Sequence, residues 1–152
     1  GITDSQLALN MMPHVSLAIC ENLDPEKFEA EVRDFAERCP AFTLSFPNLG
    51  IFPNNPGVLY LGAVATRPIL HTHTQFHSKF MAYAEQPFQH YMPGNWVPHC
   101  TLADGVPHAR LLDALQIALQ TPLPLSARVT HATLVEFLPV VTKYRYPIRA
   151  TA

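Results

Sequence analysis

An α+β fold with two pseudo-symmetric lobes is predicted by three observations. Pro13-His14-Val15-Ser16-Leu17-Ala18 recurs as Pro98-His99-Cys100-Thr101-Leu102-Ala103, 85 residues later. The flanking segments recur at about the same offset. Each copy then reads strand–helix–strand–strand, and such internal duplication places a site on the symmetry axis. The expected organisation is one bilobal domain over residues 1–152, with lobe 1 at about 13–65, a linking helix at about 67–86 and lobe 2 at about 96–149.

Each element has its own signal. Pro13–Ala18 reads as a strand, with His14 and Ser16 on one face and Val15 and Leu17 on the other. Asp24 is suited to cap a helix with Pro25 at its first position, and Phe28, Val32, Phe35 and Ala36 follow at helical spacing. Ala41–Phe46 and the run GVLYLGAV (Gly57–Val64) read as strands. A helix starts at Thr66 or Arg67 and runs to about Glu85, with Pro68 in its first turn and a stripe of Leu70, His73, Phe76, His77, Phe80, Met81 and Ala84. Pro98–Ala103 repeats the first strand, with Cys100 and Leu102 behind His99 and Thr101. Pro107 opens a helix with Leu111, Leu112, Leu115 and Leu119 on one face. Leu125–Leu138 and Thr142–Ile148 complete the second copy. The linking helix is unmatched, because its counterpart falls before residue 1.

Composition narrows the function classes. The chain has 152 residues, 48% of them hydrophobic and 14% charged, so it can bury a core. Its fifteen prolines sit at element boundaries and read as punctuation. A net charge of −2 argues against salt-driven binding of long duplex nucleic acid. No stretch reads as a membrane span or a signal peptide. Cys20, Cys39 and Cys100 lack metal-type spacing and read as reduced thiols of a cytoplasmic protein.

The repeated motif carries the chemistry. A bare His-x-[Ser/Thr]-apolar match arises readily by chance. His131-Ala132-Thr133-Leu134 is a third instance, without the preceding proline or the following alanine. The six-residue repeat is far harder to obtain by accident. Two facing strands of this kind would line a cleft with two titratable imidazoles and two hydroxyl donors.

A second histidine cluster, His71-Thr72-His73-Thr74-Gln75-Phe76-His77, raises a zinc alternative. His73 and His77 share one helical face, as in zinc hydrolases. His71 lies about 200° from His73 around the helix, and no third ligand is evident. Packing is therefore preferred for this pair. Phe52, Tyr60, Trp96, Tyr144 and Tyr146 are aromatic residues that could stack a base. Lys143, Arg145 and Arg149 form a basic row on the last strand, while Arg67 and Lys79 are weaker candidates for anion contact.

The two Pro-His-x-[Ser/Thr]-Leu strands, the GVLYLG strand and the intervening helix resemble the 2H phosphoesterase superfamily, the LigT-like group of 2′-5′ RNA ligases and RNA 2′,3′-cyclic phosphodiesterases. The resemblance runs from about Pro13 to Arg149. It implies antiparallel sheets lining a central cleft, helices outside, and no metal or other cofactor. By position it makes His14 and His99 catalytic and Ser16 and Thr101 phosphate-binding. Phe52, Tyr60, Lys143, Tyr144 and Arg145 are the accompanying candidates for substrate contact. The expected activity is metal-independent hydrolysis of 2′,3′-cyclic phosphates of nucleotides or RNA ends, with 2′-5′ ligation as its reverse. Its partner is then a small nucleotide or an RNA end. The working assignment takes His99 as general base and His14 as general acid, an order that the residues themselves do not fix. The alternatives are a zinc hydrolase built on His73 and His77, and a non-catalytic nucleotide- or RNA-binding module.

Overall fold

The computed structural model describes residues 11–137 and 139–150. In chain order these form β1 (Cys20–Asn22), α1 (Pro25–Arg38), β2 (Phe42–Phe46), β3 (Asn48–Phe52), β4 (Gly57–Gly62), α2 (Arg67–Phe80), β5 (Glu85–Pro87), β6 (His99–Val106), α3 (Leu111–Ala118), β7 (Leu125–Val129), β8 (His131–Glu136) and β9 (Val141–Pro147). Short 3₁₀ turns precede β6 and α3, at Gln89–Tyr91 and His108–Arg110. The fold is α+β, with three helices and several small antiparallel sheets among the described residues.

The chain divides into two compact units, each assembled from three stretches. The first holds the described residues through Ser16, Ser45–Val64 and Pro98–Ser126. The second holds Leu17–Leu44, Ala65–Val97 and the described residues from Ala127 onward. This division departs from contiguous lobes at about 13–65 and 96–149. The cause is strand pairing: β6 joins β4, so the second motif completes a sheet begun by the β3–β4 hairpin. Both copies of the His-x-[Ser/Thr] motif consequently fall within the first unit.

In the first unit, β4 lies between β3 and β6. One face of this sheet turns Leu59, Val106 and Ile51 toward Leu111 and Ala114 of α3. Leu111, Ala114, Leu115 and Ala118 make the buried stripe of that helix. Leu112 and Leu119, expected on that stripe, are instead 71% and 63% exposed. A helix starting at Leu111 turns them about 80–100° away from its buried line.

In the second unit, α1 and α2 pack with the β8–β9 hairpin. Phe28, Val32 and Phe80 are buried, with Phe76, Tyr83, Leu134 and Tyr146 around them. Asp24 caps α1 as its sequence predicts, accepting backbone hydrogen bonds from Glu26 and Lys27 at 3.1 and 3.3 Å. The linking helix stops at Phe80 rather than near Glu85, because Glu85–Pro87 pairs with β1. Its buried line runs through Ile69, His73, His77 and Phe80, leaving Leu70 and Met81 exposed. The expected strand 125–138 is two strands broken at Thr130, and its last residue, Leu138, lies outside the described residues.

The first motif is not assigned to a strand: residues 13–18 take part in no ladder with the described residues, and β1 begins only at Cys20. Their backbone is held by other means, described below. Alternation along a ladder therefore does not set the directions of His14 and Ser16.

Leu59 is 3% exposed at the centre of the first unit's core. Leu59→Ala should cost about 2–5 kcal/mol, the usual range when a buried leucine leaves a cavity. Chemical denaturation would measure it, and a loss below about 1 kcal/mol would mean that α3 does not seal this core.

Candidate active site

The face of β3–β4–β6 opposite α3 carries the candidate residues of the second motif. His99 on β6 is paired with Gly62 on β4, and Gly62 with Asn48 on β3. Thr101 is paired with Tyr60, and Tyr60 with Gly50. Side chains directly across a ladder share a face, so His99, Thr101, Tyr60 and Asn48 stand on one surface, together with Phe52. Cys100 and Leu61, one residue along each strand, point the other way.

A β-bulge keeps the two chemistries apart. Along β4, Tyr60 and Leu59 are adjacent, yet their partners on β6 are Thr101 and Ala103. Leu102 is the extra residue. It resets the alternation, so Ala103 faces the core with Leu59 while Thr101 stays on the opposite surface. Leu102, expected behind the motif, is instead 36% exposed at the bulge.

His99 sits against two aromatic rings. Phe52 and Tyr60 stack with centroids 4.3 Å apart. His99 meets Phe52 edge-on at 5.0 Å and Tyr60 at 5.2 Å. Gly50 makes this possible, because a Cβ there would collide with the Tyr60 ring.

The structure also brings the first motif to β6. The backbone amide of His14 hydrogen-bonds the Cys100 thiol, which lies between His99 and Thr101 in the chain. Burial pushes that thiol's pKa up, and the His14 amide pulls it partly back. The His14 ring is half-buried, and its Nδ1 lies 2.9 Å from the Met12 carbonyl. A carbonyl can only accept, so Nδ1 carries the proton and the neutral ring keeps its lone pair on Nε2. Ser16 is half-buried two residues on.

Other candidates belong to the second unit. Lys143, Tyr144 and Arg145 belong to β9 in the second unit. Lys143 and Arg145 are exposed, pairing with Glu136 at 3.2 Å and His131 at 3.5 Å. Tyr144 lies parallel to Tyr146 at 6.5 Å, and Tyr146 donates to Glu29. Trp96, named above as a ring that could stack a base, is buried against His73, ring on ring at 4.0 Å.

His73 and His77 form a hydrogen-bond clamp. Both are buried, at 1% and 3% exposure. Their Nε2 atoms donate to the Leu17 carbonyl, each at 3.0 Å, and His73 Nε2 also approaches the Tyr91 carbonyl at 2.9 Å. These are the bonds that hold the end of the first motif in place of a strand partner. No group of three metal-ligating side chains includes them among the described residues.

Asn48 was missed by sequence reasoning. Its only signal is positional: it opens a short strand between Pro47 and Pro53, opposite a glycine.

The family model described as the 2′-5′ RNA ligase superfamily matches residues 3–139. A solved structure titled "Crystal structure of phosphoesterase" shares the fold, with a TM-score of 0.56 and 21% sequence identity over 90% of this chain and 76% of that one. No curated protein sequence matches the chain.

Burial, and next the neighbouring His77, lower the pKa of His73 from its ordinary 6.5. Between the lowered value and 6.5 the folded chain binds fewer protons than the unfolded one. Stability is therefore complete above pH 6.5 and declines as the pH falls toward the folded-state value. His73→Gln keeps a donor without titrating, and denaturation midpoints at pH 7.5 and 5.5 should differ less for it than for wild type. Equal differences would show that His73 does not set the acid response.

Proposed function

The chain belongs to the 2′-5′ RNA ligase superfamily, and from that premise we propose that it is a metal-independent phosphodiesterase of 2′,3′-cyclic phosphates on nucleotides or RNA ends. Two-histidine acid–base catalysis drives the reaction, and 2′-5′ RNA ligation is the same displacement with a 5′-hydroxyl in place of water. The observation that carries this reading is the placement of His99 and Thr101 side by side on an accessible sheet face, with the His14 backbone bonded to the residue between them.

Each residue then has a role. One neutral imidazole takes a proton from water as the water oxygen bonds to phosphorus. The other, protonated, donates to the ribose oxygen as its bond to phosphorus breaks. The two rings exchange protonation states over one turnover, and each step contributes typically about 10²–10⁴-fold. Ser16 and Thr101 donate to the non-bridging oxygens, where negative charge is concentrated. Protonated imidazole and hydroxyl donors meet that charge, so the scheme assigns no role to a metal. His14 suits the part through Nε2, because its Nδ1 is committed to Met12. The working order keeps His99 as base and His14 as acid. In ligation, a 5′-hydroxyl gives its proton to the base as its oxygen bonds to phosphorus, and the ribose 3′-oxygen leaves with the proton from the acid, so a 2′-5′ linkage remains.

Turnover of 2′,3′-cyclic nucleotides, with excess chelator present, tests the reading. Wild type should turn over, and His14→Ala and His99→Ala should each lose at least about 100-fold in kcat. Ser16→Ala and Thr101→Ala should lose less, chiefly through weaker handling of the phosphate. Activity that disappears with chelator would support the zinc alternative. Nucleotide binding without product would support the non-catalytic module.

A further inference from the structure

Two glycines shape the face that carries His99, and they are filled in opposite directions. Asn48, Gly62 and His99 form one cross-strand row, and Gly50, Tyr60 and Thr101 form the next. A Cβ on Gly62 would collide with the Asn48 carboxamide oxygen. The Asn48 side chain therefore lies across Gly62, toward the strand that bears His99. In the neighbouring row the Tyr60 ring lies across Gly50, away from Thr101. The effect is to draw an amide toward the histidine and a ring away from the hydroxyl.

Distances make this placement useful. Adjacent strands lie about 4.8 Å apart, so the Asn48 and His99 backbones are separated by roughly 10 Å. Gly62 contributes no side chain between them, and the Asn48 amide occupies that space. Asn48 is exposed.

We propose that Asn48 determines specificity by hydrogen-bonding the nucleobase of a substrate whose phosphate is held at His99 and Thr101. The proposal rests on the phosphodiesterase reading above. A carboxamide presents donors and an acceptor side by side. Phosphate oxygens only accept and would use half of that capacity, whereas base edges present mixed donor and acceptor patterns. The stacked Phe52 and Tyr60 rings on the same face supply the aromatic surface on which unpaired bases commonly stack. Asn48 carries no charge, which suits reading a base better than attracting an anion.

The test compares kcat/KM for the four 2′,3′-cyclic nucleotides and for base-free ribose 2′,3′-cyclic phosphate. Wild type should discriminate among the bases. Asn48→Ala should lose about 5- to 150-fold on the preferred nucleotide, the range for one base contact, and the spread among the five substrates should narrow. Gly62→Ala should reproduce this pattern. The new methyl displaces the end of the flexible Asn48 side chain, and the glycine has no positive φ to forbid alanine. Thermal melts would verify that both variants fold, and Asn48→Ala alone suffices if Gly62→Ala does not. A uniform loss across all five substrates, or no loss, would overturn the proposal while leaving the phosphodiesterase intact. Absence of wild-type turnover on all five would overturn the phosphodiesterase reading for nucleotides, and this proposal with it.

Discussion

The bulge at Leu102 lets one short strand serve two incompatible environments. Without an extra residue, strict alternation would place Ala103 on the same face as His99 and Thr101, and Leu59 would lose an apolar partner. With it, His99 and Thr101 face outward while Ala103 and then Val106 return to the core beside Leu111. A second irregularity between Ala103 and Val106 keeps Val106 inside, at 0% exposure. The register is correspondingly unforgiving. A slip of one residue would bury an imidazole and expose the core set together, so packing of α3 on one face fixes which side chains stand on the other.

Around that strand, the site is shaped as much by missing side chains as by those present. Gly50 admits the Tyr60 ring and Gly62 admits the Asn48 amide. The rings then buttress His99 at 5.0 and 5.2 Å. A histidine supported in this way has little rotamer freedom left to lose, which the acid–base role proposed for it would use.

Much of this was legible in the sequence because it rests on local chemistry. Asp24 and Pro25 start α1 as capping rules require, and the GVLYLG run is the central strand of its sheet. The face shared by His99 and Thr101 follows from simple alternation. The rest depends on contacts distant in the chain. The first motif looked like a strand because its letters repeat those of the second, yet its carbonyl at Leu17 is taken by side chains of α2. The bulge exists only in the pairing of β6 with β4. Strand β3 is five residues between two prolines in a proline-rich chain, so it carries little periodic signal. Asn48 gains meaning only from the glycine opposite it. His14 and Ser16 stood out by repetition, but the His14 tautomer required the position of the Met12 carbonyl.

The clamp on Leu17 also bears on how copies of this chain meet. A stretch of backbone without a ladder offers carbonyl and amide groups to any passing strand, a common route to edge-to-edge aggregation. Leu17 does not make that offer. Its oxygen already receives the His77 N–H and shares the His73 N–H with the Tyr91 carbonyl. The buried histidines thus act as a stopper on an otherwise adhesive segment, and they bring no charge to it while neutral.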